Sequence, residues 1–276
     1  MNELVRFSSQ PEFRSPTLVV GWTMDASQLG ARVTDYLVRK LGGQPFCDVE
    51  PVDFFTLGGV VIENDVVQFP ETRFYACPGS DLVVLRSAPP TFEWYRFLNL
   101  ILDVAREHCH VKELYTIGGM VALGAHTAPR MLTGTPNSAE FKDVLSPYGI
   151  TTELNYESPP GQKPTLNSFL SWTAKVRKIP AANLWVPVPF YLLTVYDPKA
   201  EKRVLEFLNV RLDLQIDFSE IDEEIRKQNE KMGQLRSSFP EIDNCISKLE
   251  SNLRLSEKEN EQLINQVEEF LRETTD

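Results

Sequence analysis

Four residues that end or follow predicted strands could line one ligand-binding cleft, and they are Asp25, Arg86, Gly118 and Gly119. In an open α/β sheet, ligands bind beyond the carboxyl ends of the strands. Arg86 could hold an anion, the two glycines could admit a ligand close to the backbone, and Asp25 could accept hydrogen bonds from a ribose or a base. Such a cleft would suit a nucleoside or a phosphate group.

Each of these residues also has a purely structural interpretation. Asp25 is equally suited to cap the N-terminus of a helix, because a carboxylate accepts hydrogen bonds from the free backbone N–H groups there. Arg86 is equally suited to a surface ion pair, and Gly118-Gly119 to a turn after a strand. The cleft therefore stands as a hypothesis beside this interpretation.

The sequence contains none of the common catalytic motifs: no G-x-S-x-G elbow, Walker A loop, G-x-G-x-x-G turn, H-E-x-x-H pair or EF-hand loop. His108 and His110 are two residues apart and would face different sides of a helix. A histidine at a helix end, where an imidazolium offsets the dipole, is favoured over a metal site. We expect no catalytic residue, no metal and no cofactor.

The charge of the chain limits its partners. The net charge is −11, and the stretch 211–276 contributes 17 acidic and only 9 basic side chains. Binding of nucleic acid depends largely on lysine and arginine at the phosphates, so we expect no nucleic-acid partner. The N-terminus has no secretion signal and the chain has no apolar run of membrane-spanning length. Four cysteines without a C-x-x-C pair fit a reducing compartment, so we expect a cytoplasmic protein.

The elements that would position the cleft residues are strands alternating with amphipathic helices. Short apolar runs rich in β-branched residues predict buried strands at 17–22, 81–86, 111–117 and 183–188. Helices are predicted at 26–41, 91–107 and 198–208. The second of these helices would be capped by Thr91. This alternation indicates an α/β domain with a largely parallel or mixed sheet.

Two further features complete the predicted sheet. A strand near 45–49 would follow the first helix and complete a β-α-β unit, with parallel pairing and a right-handed crossover. Glu63-Asn64-Asp65 separates two β-rich runs and predicts a hairpin or meander.

The tail has a regular apolar pattern, with residues recurring at alternating steps of four and three from Ile221 to Phe270. A 3.5-residue repeat is typical of a coiled-coil seam, in which Asn260 could fix register and strand number. The predicted oligomer or partner seam consists of Ile242, Ile246, Leu249, Leu253, Asn260, Leu263, Val267 and Phe270.

Pro240 interrupts this tail, because proline in a helix interior removes a hydrogen bond and clashes with the preceding turn. Two helices, roughly 219–236 and 240–273, are therefore favoured over one rod. They could fold back as a hairpin, pair with another chain, or cover their own domain, and the sequence leaves these alternatives open.

The order of landmarks is recognisable as a family pattern. These landmarks are PTLVVGW at 16–22, YLVRKLGG at 36–43, LVVLRSAPPTFEWYRF at 82–97 and LYTIGGM at 114–120, followed by GQKPTLNSFL and VPVPFY. Over about residues 14–218, the chain resembles the proteasome assembly chaperone family in its archaeal and bacterial single-chain form. We expect residues 1–218 to form this domain and 219–276 to form an acidic helical tail broken near Pro240.

The resemblance implies a three-layer α/β sandwich similar to nucleoside phosphorylases and some hydrolases, with a C-terminal helical extension. It implies a homo-oligomer, with trimers or larger assemblies among the options, and protein partners such as proteasome-like subunits. Members that dock into proteasome ring pockets end in a hydrophobic-tyrosine-any-residue motif, whereas residues 272–276 read RETTD, which argues against docking by the C-terminus. We expect a non-catalytic assembly-chaperone-like protein, with the nucleoside or phosphate cleft as the alternative.

Overall fold

The computed structural model describes residues 3–56, 61–63, 65–77, 79–152, 155 and 157–273. In chain order, the strands are β1 Val5–Phe7, β2 Thr17–Trp22, β3 Gln44–Val49, β4 Val61–Glu63, β5 Val66–Gln68, β6 Thr72–Cys77, β7 Leu82–Ser87, β8 Glu113–Ala122, β9 Thr133–Pro136 and β10 Ala181–Pro189. The helices are α1 Leu29–Lys40, α2 Trp94–Asp103, α3 Ala139–Leu145, α4 Leu166–Val176, α5 Pro198–Leu212, α6 Ser219–Ser238, α7 Pro240–Glu250 and α8 Glu257–Glu273. No described helix is both long and apolar enough to cross a lipid bilayer.

Eight strands form one mixed sheet in the order β1-β3-β6-β7-β2-β8-β10-β9. The four central strands β7, β2, β8 and β10 are parallel to one another. Their side chains are almost all buried at their amino-terminal halves, because helices cover both faces of a parallel sheet. The strands predicted from β-branched runs are therefore confirmed.

Helices lie on both faces, which gives three layers. Residues of α1, α3 and α5 form one hydrophobic cluster with one face of the sheet, and residues of α2 and α4 form a second cluster with the other. The predicted α/β sandwich with a C-terminal helical extension is confirmed.

The predicted pairing of the strand at 45–49 is wrong. β3 does not lie beside β2, since it pairs antiparallel with β1 and with β6. β6 in turn pairs antiparallel with β7, so β3 runs in the same direction as β2 but is separated from it by the two strands β6 and β7. The physical reason is that a three-strand antiparallel meander extends the sheet beyond β7, and local sequence does not reveal that insertion.

Two element boundaries also differ from the predictions. α2 begins at Trp94, after Glu93 in a left-handed conformation (φ 55°), so Thr91 does not cap it. β8 continues through Gly118 and Gly119 to Ala122 instead of turning there.

β4 and β5 form a separate two-stranded antiparallel sheet, which we call the hairpin. This confirms a hairpin between the two β-rich runs, although Asn64 in the predicted turn lies outside the described residues. Ile62, Val66 and Val67 on this hairpin are exposed.

The tail covers its own domain, which is the third of the alternatives that the sequence left open. Five of the predicted seam residues are buried in the same hydrophobic cluster as α1 and α5, and they are Ile242, Ile246, Leu249, Leu263 and Val267. Phe270 and Asn260 are half-buried, while Leu253 is exposed. These five side chains pack on their own domain in this chain, and a seam with a second chain stays a prediction. A stripe of this kind also arises when a helix must cover an apolar surface of its own chain.

The tail forms three helices instead of two. The break at Pro240 is confirmed, but a second break separates α7 from α8. Asn252 follows α7 with φ 56°, and the backbone N–H of Leu253 donates to the carbonyl of Lys248 at 2.8 Å, as in a Schellman ending. α8 then starts at a capping box, in which the Glu259 N–H donates to Ser256 Oγ at 3.3 Å and the Ser256 N–H donates to the Glu259 carboxylate at 2.8 Å.

Candidate functional site

A cleft of about 990 Å³ opens at the carboxyl ends of β2 and β10. Its walls come from the start of α1, the loop 193–196 and helices α5, α6 and α8. This is the place where open α/β sheets bind ligands, so the predicted position of a cleft agrees with the geometry.

Asp25 is the predicted site residue that lines this cleft. Its carboxylate accepts hydrogen bonds from the backbone N–H of Gly30 at 3.1 Å and from that of Gly119 at 3.4 Å. Burial raises the pKa of Asp25 to about 6, although these backbone donors act in the opposite direction. Asp25 therefore ties the start of α1 to β8 and also presents a carboxyl group that changes protonation near neutral pH.

The turn between Asp25 and α1 has an unusual backbone. Ser27 and Gln28 have φ values of 59° and 52°, a left-handed conformation that is costly for residues other than glycine. Ser27 Oγ donates to the carbonyl of Val195 at 2.6 Å and accepts from the N–H of Asp197 at 2.9 Å. These bonds hold the turn against the loop after β10, which fixes two walls of the cleft relative to each other.

The same two walls carry a polar cluster. The Arg32 guanidinium lies 4.2 Å from the centre of the Tyr196 ring, in cation–π geometry. Glu201 lies beneath them and is buried, and this burial raises its pKa while a hydrogen bond from the Tyr196 hydroxyl lowers it. The cleft lining is rich in charge of both signs, which suits a polar ligand more than an apolar one. Its cations are Arg32, Arg39, Lys227, Lys231 and Arg272, and its carboxyl groups are those of Asp25, Asp35, Glu201, Glu220 and Glu224.

The other three predicted residues do not join Asp25 in the cleft. Arg86 Nε lies 3.2 Å from the carboxylate of Asp35, so Arg86 forms the ion pair that its structural interpretation predicted. A Cβ on Gly118 would lie 2.5 Å from the ring of Trp185, and one on Gly119 would lie 2.7 Å from the carbonyl oxygen of Ala26. Both glycines therefore allow close packing within the chain, and neither leaves room for a ligand.

The described residues lining the cleft include no cysteine or histidine. Elsewhere, burial raises the pKa of the Cys47, Cys77 and Cys109 thiols to about 12. Burial lowers the pKa of His126 to about 4, and its Nδ1 lies 2.9 Å from the Tyr191 hydroxyl. Across the described ranges, no three histidine, cysteine or acidic side chains are grouped to hold a metal ion.

A second surface was not predicted from the sequence. Four aromatic side chains from α2 and α4 contact one another on the opposite face of the molecule, and we call them the aromatic face: Trp94, Tyr95, Phe169 and Trp172. Trp94 and Phe169 are half-buried and pack against the core. The Phe169 ring is stacked on Trp172 with centroids 5.6 Å apart and on Tyr95 at 6.3 Å. Tyr95 is 55% exposed and Trp172 is 51% exposed.

The aromatic face rests on two helices that are fixed to each other. Arg177, just beyond α4, donates from Nε to the Asn99 side chain on α2 at 3.0 Å and forms an ion pair with Asp103. The inner stripe of α2 confirms the predicted buried side, with Phe97 and Ile101 fully buried. The sequence sign of the aromatic face lies outside that stripe. It consists of Tyr95 on α2 and Trp172 on α4, two aromatic residues at exposed helix positions.

Comparisons with known proteins agree with this architecture. The PAC2 family model matches residues 18–236. A PAC2 family protein from Streptomyces avermitilis has a similar structure, with 23% identity and a TM-score of 0.73 over 85% of this chain and 99% of that chain. A proteasome-assembly chaperone homologue from Mycobacterium tuberculosis has 21% identity and a TM-score of 0.69 over 79% of this chain and 94% of that chain.

An archaeal proteasome activator from Pyrococcus furiosus is also similar, with 20% identity and a TM-score of 0.68 over 84% of this chain and 98% of that chain. No curated protein sequence matches the chain. The match of the family model over most of the chain confirms the resemblance that the strand and helix landmarks suggested. The chain belongs to the PAC2 family.

Proposed function

We propose that this chain is a homo-oligomeric, non-catalytic protein-binding protein that acts as an assembly chaperone. Its partners are further copies of itself and other proteins, with proteasome-like subunits as the first candidates. The family supports this proposal, as do the two similar structures described as a proteasome-assembly chaperone homologue and a proteasome activator. Four buried, unpaired cysteines support action in the reducing cytoplasm.

The aromatic face carries the proposal. Contiguous exposed apolar surface rimmed by polar residues marks interaction sites, and aromatic residues are enriched at protein interfaces. Here Phe169 stacks on both Tyr95 and Trp172, whose side chains are about half exposed, and Val176, one helical turn after Trp172, is 62% exposed. These side chains remain at the surface although the chain buries a large core on both sides of its sheet.

The first experiment measures the assembly state of the purified chain by sedimentation velocity. We expect a mass that is a multiple of the protomer mass, and a shift toward the monomer for Trp172→Asp. Val210→Asp is the matched control, because Val210 is an apolar residue on α5 that is 70% exposed and lies on another face. A wild-type chain that sediments as a monomer would contradict the homo-oligomer.

The second experiment tests the partner. The purified chain is mixed with purified proteasome-like subunits of its source organism and analysed by size-exclusion chromatography. We expect co-elution, and faster assembly of the subunits into rings when the chain is present. No co-elution and no change in the assembly rate would remove these subunits as partners.

A small-molecule binding function is the second candidate, and the cleft of about 990 Å³ favours it. A ligand that prefers the native state raises the melting temperature. Nucleosides or inorganic phosphate should then raise the melting temperature of the wild type, and they should raise that of Asp25→Asn by less. Identical behaviour of the two proteins, or no shift with any compound, would count against this function.

A further inference from the structure

The hairpin is exposed on both of its faces. Successive residues of a strand point to opposite sides, and Val66 and Val67 are 58% and 46% exposed. Ile62 is the cross-strand partner of Val67 and is 71% exposed, and Phe69 directly after β5 is 58% exposed. An isolated two-stranded hairpin is only marginally stable in water, so this apolar element requires a surface that covers it.

The aromatic face has side chains that complement those of the hairpin. It offers stacked rings, which pack well against β-branched side chains. Its charges are also complementary to those of the hairpin, because the hairpin turn carries the exposed acidic residue Asp65, whereas the end of α4 carries the exposed basic residues Lys175 and Lys178. Opposite charges of this kind steer association and set the register of an interface.

The two surfaces do not cover each other within one chain. Val67 on the hairpin and Trp172 on α4 are both about half exposed in the same protomer. Both partners of a complementary pair therefore remain unoccupied on each copy.

We propose that the hairpin of one copy docks on the aromatic face of a second copy. This inference rests on the proposed homo-oligomer and names the surfaces that form it. Because two different surfaces meet, the contact is either reciprocal in a two-fold dimer or repeats around a closed ring.

Site-specific cross-linking tests the contact directly. One chain carries Val67→Cys and another, with a different tag, carries Trp172→Cys, and the two are co-expressed and treated with a short bismaleimide. The native cysteines are all buried, and the raised pKa of the Cys47, Cys77 and Cys109 thiols keeps them unreactive. We expect a product of twice the protomer mass that carries both tags.

The control pairs Val67→Cys with Val210→Cys on α5 and should give no such product. The docking contact would be overturned by the absence of any cross-linked product. It would also be overturned if every product joined two chains with the same tag. Thermal melting of each variant within the range of the wild type shows that the exposed substitutions leave the fold intact.

Sedimentation of the unmodified chain distinguishes failure of the docking contact from failure of the proposed homo-oligomer. An oligomer that yields no mixed-tag product overturns the docking contact alone and leaves the proposed function in place. A monomer overturns both.

Discussion

The two faces of the large sheet are completed in different ways. On one face, α1 and α5 are themselves covered by the tail helices, whose apolar stripe is buried in the same hydrophobic cluster. On the other face, α2 and α4 receive no such cover from the described chain, and they carry the exposed aromatic face. The longest apolar pattern in the sequence is thus buried within the chain, while the short aromatic cluster stays at the surface.

The largest expected effect lies on the covered face, in a buried ion pair. Arg130 Nε lies 2.9 Å from the carboxylate of Asp197, and both side chains are almost fully buried. Asp197→Ala leaves the arginine charge uncompensated, so we expect a loss of about 3–5 kcal/mol in the free energy of unfolding. Urea denaturation measures this.

An exposed ion pair provides the matching control. Asp53 and Arg96 lie 2.9 Å apart but are both substantially exposed, so Asp53→Ala should cost less than about 1 kcal/mol. Equal losses for Asp53→Ala and Asp197→Ala would contradict the difference in burial.

The next prediction compares two leucines of the same predicted stripe. Leu263 on α8 is fully buried, whereas Leu253 in the loop before it is 58% exposed. We expect Leu263→Ala to cost about 2–5 kcal/mol, because it removes buried contacts and leaves a cavity, and Leu253→Ala to cost less than about 0.5 kcal/mol. If Leu253→Ala were instead the more damaging of the two in urea denaturation, the tail would not cover its own domain.

A pH effect should also arise on the covered face. Burial lowers the pKa of His126 to about 4 from an ordinary 6.5, so the unfolded chain takes up a proton at a higher pH than the folded chain. Stability from this group is present above pH 6.5 and is lost as the pH falls toward 4, by about 3 kcal/mol in total. His126→Gln should remove this loss.

Asp25 changes the stability in the opposite direction over nearly the same pH range. Its folded pKa of about 6 lies above the ordinary 3.8, so the fold gains stability from this group as the pH falls from 6 toward 4. Relative to the wild type, Asp25→Asn should therefore lose more stability on acidification, and His126→Gln should lose less. Urea midpoints at pH 7 and pH 4.5 measure both, and parallel changes in the three proteins would contradict the assignment.

On the aromatic face, a substitution should change the stability of the protomer only slightly. Trp172→Ala should change the free energy of unfolding of the protomer by less than about 1 kcal/mol, since half of the side chain is already exposed. The same substitution should weaken self-association by at least about tenfold, because truncation of a hot-spot tryptophan at an interface costs about 2 kcal/mol or more and about 1.4 kcal/mol already corresponds to tenfold. If Trp172→Ala instead lowered the free energy of unfolding and left self-association unchanged, the aromatic face would stabilise the protomer and would not form the interface.

The strands were predictable because continuous β-branched runs such as Thr17–Trp22 have few other ways to be buried. The order of the strands was not, because the position of β3 depends on long-range pairing with β1 and β6. The second tail break did have a local signal, since Ser256 and Glu259 form an S-x-x-E capping box.

The candidate site was predictable only in part. Asp25 lies in the cleft as its place after β2 suggested, but Gly118 is covered by Trp185, a residue 67 positions away that no local pattern connects to it. The aromatic face was not predictable from the apolar stripes, because those stripes mark the buried sides of the helices and Tyr95 and Trp172 lie outside them.

The covering of α1 and α5 by the tail has a consequence for synthesis. Helices α6–α8 follow every other described element along the chain, so the ribosome makes them after the surface that they cover. At roughly 5–20 residues per second, translation of segment 219–273 takes roughly 3–11 s. During that interval the nascent domain exposes the apolar surface on its α1–α5 side that its own tail later covers.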